Sequence, residues 1–352
     1  DDGRYVVYSR RGDYYEQVEY CEPIDPNEPS DPNDPLDPNE PYDPNDPQEY
    51  CELVDEYRLW TGPIFVYDFF AGETIEVSVS SAGEPANDAT GDAAISGNGR
   101  FVAFSSYASN LVEHDYNEES DIFVHDLETR QTSRVSVDSA GEEGDNFSGS
   151  PVISDDGNVV AFLSDASNFS ALNHQYRTRD VYVHNRLTGT TRLASANSDG
   201  TPADSSSFEP ALSGDGRFVA FHSSADNLIY DQTPGIRDVY LHDTLNGTTD
   251  LVSKGSDGIA GSFYSTQPAL SFDGRYITFE TTNGFDPMDT RSASTDVYIH
   301  DRVSGQTDWL SAHTGDGGRY ASISDDGRYV AFNNIVYFPR GNYDHGRIWV
   351  YD

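Results

Sequence analysis

The densest set of metal-ligating side chains in this 352-residue chain is the turn Asp115-Tyr-Asn117-Glu-Glu-Ser-Asp121. Two carboxylates and an amide oxygen are hard donors, and their D-x-N-x-x-x-D spacing suits a calcium loop. Asp231 with Asp238, and Asp289 with Asp296, repeat the outer carboxylates further along; Asn173 precedes Asp180 in the same way. Asp115, Asn117, Asp121, Asp231, Asp238, Asp289 and Asp296 are therefore the candidate Ca2+ ligands. The competing reading is that each strand-leading aspartate caps a turn through its own backbone. Four histidines, His125, His184, His242 and His300, recur one per unit and give way to Tyr67 and Tyr351 in the outer units. Spread in this way they are too dispersed to hold one metal, and packing between units is the expected role. G-x-S-x-G, H-E-x-x-H, C-x-x-C and a phosphate-binding glycine loop do not occur. With carboxylates everywhere, an acid–base pair carries no signal, so the expectation is that the chain is not an enzyme.

A second chemical feature is a stripe. From Asp25 to Pro47 every third residue is acidic (Asp25, Glu28, Asp31, Asp34, Asp37, Glu40, Asp43, Asp46), and proline follows each one. Proline at this density enforces polyproline II, whose three residues per turn stack the eight carboxylates roughly 9 Å apart. Alone, such a segment is a stiff solvated spacer. Contact with another subunit, with calcium along the stripe, is its expected use. Cys21 and Cys51, the two cysteines, flank it in near-duplicate settings, VEYCE and QEYCE. Paired strands with opposed cysteines, oxidised in an extracellular setting, are the natural reading. A straight rod over 25–47 would span about 70 Å, whereas a disulfide needs Cα atoms about 5.5–6 Å apart. Either the segment doubles back near Leu36, or the two cysteines bond to different molecules. Asn146, Asn168 and Asn246 begin glycosylation sequons.

Composition narrows the partners. Acidic residues outnumber basic ones 61 to 21, and Lys254 is the single lysine, for a net charge of −40. Such a surface repels nucleic acid and anionic membranes, because phosphate binding needs clustered cations. No run approaches the roughly 20 apolar residues of a membrane span. The chain starts at Asp1 rather than Met, which suggests a processed or partial chain.

The elements that hold these residues repeat: Asp121-IFVHD, Asp180-VYVHN, Asp238-VYLHD and Asp296-VYIHD recur at strides of 59, 58 and 58 residues. Fainter copies sit at Ile64-FVYD and Ile348-WVYD. One full unit runs EPALS, Gly214-Asp-Gly-Arg, FVAFHSS, a polar loop, DVYLHDTL, Asn246-Gly and TTDLVS. Four short alternating apolar runs, separated by Asp-Gly and Asn-Gly hairpin turns, describe four antiparallel strands. Six such units read as an all-β, six-bladed β-propeller of about 58-residue, four-stranded repeats. A β-solenoid is the alternative, but its turns are far shorter. The propeller takes residues 1–10 and 64–352, and 11–63 is an inserted arm in the first blade: a β-hairpin stalk carrying the polyproline segment 25–47. The first unit lacks the EPALS-like strand and the last lacks the TTDLVS-like strand, leaving 22 of 24 strands.

The phrases S-x-D-G-R-[FY]-V-A-F, A-S-N-L, D-[VI]-[YF]-V-H-D and T-G-x-T resemble the TolB-like, WD40-like propeller repeats of secreted bacterial and archaeal proteins. The resemblance covers roughly 300 residues and implies a propeller that binds or assembles. Unpaired strand edges template other chains. The expected function is thus a secreted, non-enzymatic, self-assembling subunit, a homo-polymer in an extracellular filament or surface layer, joined by strand complementation and the proline-rich arm. The alternative is a monomeric cell-surface recognition module binding glycan or peptide at the tyrosine-rich rim. A hydrolytic site in the central channel is the third reading.

Overall fold

The computed structural model describes residues 4–23, 49–170, 178–229, 235–282, 285, 295–314, 317–334, 336–337, 343–344 and 347–352; for 10–23, 49–61, 313, 336–337 and 343–344 it describes the backbone alone. Contacts divide the chain into Asp1–Arg10 with Gly62–Asp352, and Arg11–Thr61. The larger unit is a succession of six antiparallel sheets. The first contains β1 (Tyr5–Pro23), β2 (Glu49–Asp68) and β3 (Glu73–Glu76). The second is β4 (Thr90–Ile95), β5 (Phe101–Ser106), β6 (Asp121–Asp126) and β7 (Thr132–Arg134). The third is β8 (Ser148–Ile153), β9 (Val159–Ser164), β10 (Asp180–Asn185) and β11 (Thr190–Leu193). The fourth is β12 (Ser207–Leu212), β13 (Phe218–Ser223), β14 (Asp238–Asp243) and β15 (Thr248–Leu251). The fifth is β16 (Ser265–Leu270), β17 (Tyr276–Thr281), β18 (Asp296–Asp301) and β19 (Gln306–Trp309). The sixth joins β20 (Arg319–Ile323), β21 (Val330–Asn333) and β24 (Ile348–Tyr351), with a small hairpin, β22 (Val336–Tyr337) and β23 (Tyr343–Asp344), between its last two strands. In the first five blades consecutive strands pair, as the hairpin signals require, and in the sixth β21 pairs with β24. The first and sixth are the three-stranded ones, and the four between are complete.

Blades two to six are each bent at their first strand. Register slips between Gly149 and Val152, Phe208 and Ala211, and Thr266 and Ala269. A residue before proline or alanine takes positive φ there: Ser150, Glu209, Gln267 and Tyr320, all near +50°. In blades three to six these β-bulges turn one side chain out of the ladder, and the prolines that follow in blades three to five need no ladder donor. The first turn of each blade uses glycine for a different reason. Gly216 has φ +73°, and a Cβ there would meet Val159 of the preceding blade at 2.8 Å, so the turn is both left-handed and a seat for its neighbour.

Five apolar clusters join consecutive blades. In the one between blades two and three, Ile122 and Val124 of β6 meet Val160 and Phe162 of β9. Between blades four and five, Val239 and Leu241 of β14 meet Ile277 and Phe279 of β17. The rule is constant: two apolar residues of a third strand face two of the next blade's second strand. Among the described residues, no such cluster joins the sixth blade to the first.

Candidate functional site

Among the described residues, two faces stand uncovered where a sixth interface would lie. Val6 and Tyr8 of β1 stand where Val102 and Phe104 stand in β5; the latter are 0 % exposed, but Val6 is 46 % and Tyr8 42 % exposed. On the other side, Ile348 and Val350 of β24 occupy the places of Val239 and Leu241, which are 0 % and 3 % exposed; here they are 79 % and 66 % exposed. Tyr329 is also largely uncovered, whereas its counterpart Phe218 is buried under the turn glycine Gly274 of the next blade. The exposed sets are the two halves of the contact that the chain makes five times internally. Among the described residues β24 is also the outer edge of its sheet, and an edge presents a row of backbone groups to which another strand can pair.

The calcium candidates divide. Asp115 and Asp121 do come together, and Glu143, which sequence spacing did not flag, completes a carboxylate triad whose ligand atoms lie within 4.8 Å of one another. Arg134 Nη1 enters this triad, 3.7 Å from Asp115, 3.2 Å from Asp121 and 2.5 Å from Glu143. A divalent ion would have to displace that guanidinium. Asn117 turns its amide nitrogen inward, donating to Gly144 O (2.8 Å) and Asp121 Oδ2 (3.3 Å). Burial pushes the Asp121 carboxyl up to about 6, against the opposing pull of the Ser136 hydroxyl and Arg134. Asp238 and Asp296 sit apart in different blades, and each accepts a hydroxyl of its own blade, from Ser253 at 2.7 Å and Ser311 at 2.5 Å. Those serines in turn accept the next backbone N–H, of Val239 and Val297. The strand-leading aspartate is thus a cross-strand latch to a serine 15 residues on. Asp231, Asp289 and Asn173 lie outside the described residues, as does the acidic stripe 25–46; so do the side chains of Cys21 and Cys51, which stand on β1 and β2. Asn168 and Asn246 are exposed, and each amide nitrogen is engaged, with Glu143 O and with Asp243 Oδ2; Asn146 is half-buried.

The recurring histidines serve the blade joints. His125, His184, His242 and His300 each bond through Nδ1 to a threonine, Thr132, Thr191, Thr249 and Thr307, at 2.9 Å. Each threonine hydroxyl donates to a carbonyl of the preceding blade: Val79, Val137, Ala196 and Lys254. The hydroxyl proton being spent there, Nδ1–H must be the donor on the imidazole. Burial lowers His125, His184 and His300 to about 4, so they are neutral at neutral pH.

The bulge residues gather other polar groups. Glu209 accepts from Gln267 N (2.9 Å) and from its amide. His222 Nδ1 lies 3.0 Å from Glu209 Oε2, near enough for an ion pair but without a hydrogen-bonding angle. Glu280 is buried and accepts from Tyr320 N at 2.5 Å; burial pushes its carboxyl up to about 7. A carboxyl that titrates near neutrality can exchange protons with a ligand. Its members come from three blades, so no linear motif announces them; the only trace is the x-Pro bulge.

No family model and no curated protein matches this sequence. Solved structures do. TolB from Acinetobacter baumannii is 18 % identical over 82 % of this chain and 56 % of that one, with a TM-score of 0.47. The β-propeller domain of the trilobed protease from Pyrococcus furiosus, described as having an open velcro topology, is 16 % identical over 85 % of this chain and 73 % of that one, TM-score 0.49. An oligogalacturonate lyase from Vibrio parahaemolyticus is 12 % identical over 79 % and 70 %, TM-score 0.47. These β-propellers are what the six sheets of this chain are similar to in fold, and the chain spans about half the length of the Acinetobacter TolB. The expectation that the chain is not an enzyme is corrected by the same comparison: similar propellers include a lyase and a protease's propeller domain. The physical reason is that a propeller assembles its polar groups from separate blades, so the absence of short catalytic motifs excludes nothing. Among the described residues no helix is long and apolar enough to cross a membrane.

Proposed function

We propose that this chain is a propeller subunit that assembles head to tail with copies of itself, in an extracellular filament or surface layer. The observation behind the reading is the pair of uncovered faces, Val6 with Tyr8 and Ile348 with Val350. They complement each other because five internal joints are made from the same two halves. A face on one end that fits a different face on the other end is a heterologous contact. Such contacts grow into open polymers unless the rotation closes them. In this reading a strand of the neighbouring copy also covers the outer edge of β24. The acidic segment 25–47 lies along a neighbouring subunit with calcium between carboxylates, and Cys21 and Cys51 are oxidised outside the cell.

Light scattering and negative-stain imaging of undenatured protein over a range of concentrations test this, with and without a calcium chelator. Mass that grows with concentration, and elongated particles, are expected. A monodisperse monomer at every concentration would overturn the proposal, since the two faces would then be satisfied within one chain.

A further inference from the structure

One joint between blades is built differently from its neighbours. Where blade two meets blade three, the Phe101 ring lies between two guanidinium groups, Arg100 at 4.9 Å and Arg186 at 4.5 Å from its centroid. Arg186 also donates to Gly157 O at 2.6 Å. Where blade four meets blade five the arrangement recurs: Phe218 lies between Arg217 at 4.7 Å and Arg302 at 4.2 Å, and Arg302 donates to Gly274 O at 3.1 Å. In register with these residues, the joint between blades three and four has Asn158, Val159 and Thr244. Ring and both guanidinium groups are gone together. Thr244 is too short to reach Gly216 O, the counterpart carbonyl, and donates instead to Arg217 O at 2.8 Å. Blade three also lacks the arginine–aspartate clamp kept as Arg100–Asp126, Arg217–Asp243 and Arg275–Asp301. Its members there are Asn158 and Asn185. The consequence is a cavity of about 680 Å³ lined by Val159, Asn185, Asp215, Gly216, His242 and Thr244.

We infer that this cavity is a binding site for a guanidinium group carried on a flat apolar body, the chemistry that plugs the two neighbouring joints. Val159 supplies an apolar wall, Gly216 O the acceptor, and exposed Asp215 a negative mouth; the Asn185 side-chain oxygen is held by the backbone N–H groups of Leu187 and Thr188. The two arginines that also line it do not oppose a cation strongly: Arg217 is held by Asp243 at 2.6 Å, and Arg192 lies on the exposed rim. Burial lowers the His242 imidazole below its ordinary value, so it is neutral at neutral pH. The net charge of −40 raises the local concentration of any cation. The guanidinium can come from an arginine of another polypeptide or from a small molecule.

Calorimetric titration of the intact chain with phenylguanidinium, and separately with acetyl-Phe-Arg amide, tests the site. One saturable site is expected in the natural protein. Val159→Phe with Thr244→Arg fills the cavity and should lower affinity at least tenfold. Phe101→Val with Arg186→Thr should open a second site and raise the stoichiometry to two. Tenfold tighter binding of the peptide would assign the ligand to a polypeptide, and the reverse to a small molecule; either supports the site. Absence of saturable binding by both probes, or the same stoichiometry in all folded variants, would overturn it. Thermal melts of each variant establish that it folds.

Discussion

The two uncovered faces allow a test in which variants repair each other. Complete transfer of a valine, isoleucine or tyrosine side chain from water is worth about 2 kcal/mol. Scaled by present exposure of 79 % and 66 %, Ile348 and Val350 together offer about 3 kcal/mol. Val6 and Tyr8, at 46 % and 42 %, add about 2 kcal/mol. Association must also offset lost translational freedom of several kcal/mol, so backbone pairing along β24 has to contribute. Ile348→Asp with Val350→Asp removes one half and places two charges in the contact. Association should weaken by at least about 3 kcal/mol, roughly 100-fold in Kd. Val6→Asp with Tyr8→Asp should do the same from the other side. Each variant keeps one intact face. Sedimentation velocity should therefore show each alone as a monomer and an equimolar mixture as a heterodimer that does not elongate. If either variant alone forms polymers like the natural chain, or the mixture stays monomeric while the natural chain polymerises, head-to-tail assembly through these residues is refuted.

Three further outcomes are expected. Thr249→Val strips the buried His242 of its partner and Ala196 O of its donor, and should cost about 1–3 kcal/mol, read as a lower Tm with the fold retained. Glu280→Gln should be pH-dependent. The folded carboxyl titrates at about 7 against an ordinary value of 4.5, so as pH rises from 4.5 to 7 the unfolded chain ionises first and the natural protein loses stability. The variant avoids this loss and should gain on the natural protein through that window. The gain should level off above pH 7 at about 3 kcal/mol, and identical Tm differences at pH 4 and pH 8 would contradict it. Arg134→Ala empties the Asp115–Asp121–Glu143 triad of its cation. Calcium should raise the Tm of this variant more than that of the natural protein, and equal shifts would place any calcium effect elsewhere.

The repeat by itself determined the fold. A 58-residue stride, Asp-Gly and Asn-Gly turns and period-two alternation are local properties, because each hairpin is decided by residues that are neighbours in sequence. They also located the three-stranded first and sixth blades. What the sequence could not weigh was anything made between blades. Glu143 joins Asp115 and Asp121 only because the fold returns it there, and Arg134 takes the cation's place for the same reason. The histidines looked like ligands or packing groups, and only the stacked blades showed each as one step of a bond relay to the preceding carbonyl. Val159 and Thr244 are ordinary residues 85 positions apart in the chain; their smallness matters only because the third and fourth blades face each other. The exclusion of enzymatic activity failed for this reason too, since motif reading sees spacing along the chain. In a propeller, chemistry is set by distances across joints. Local rules fix strands and turns, whereas each joint depends on side-chain volumes contributed by two blades at once.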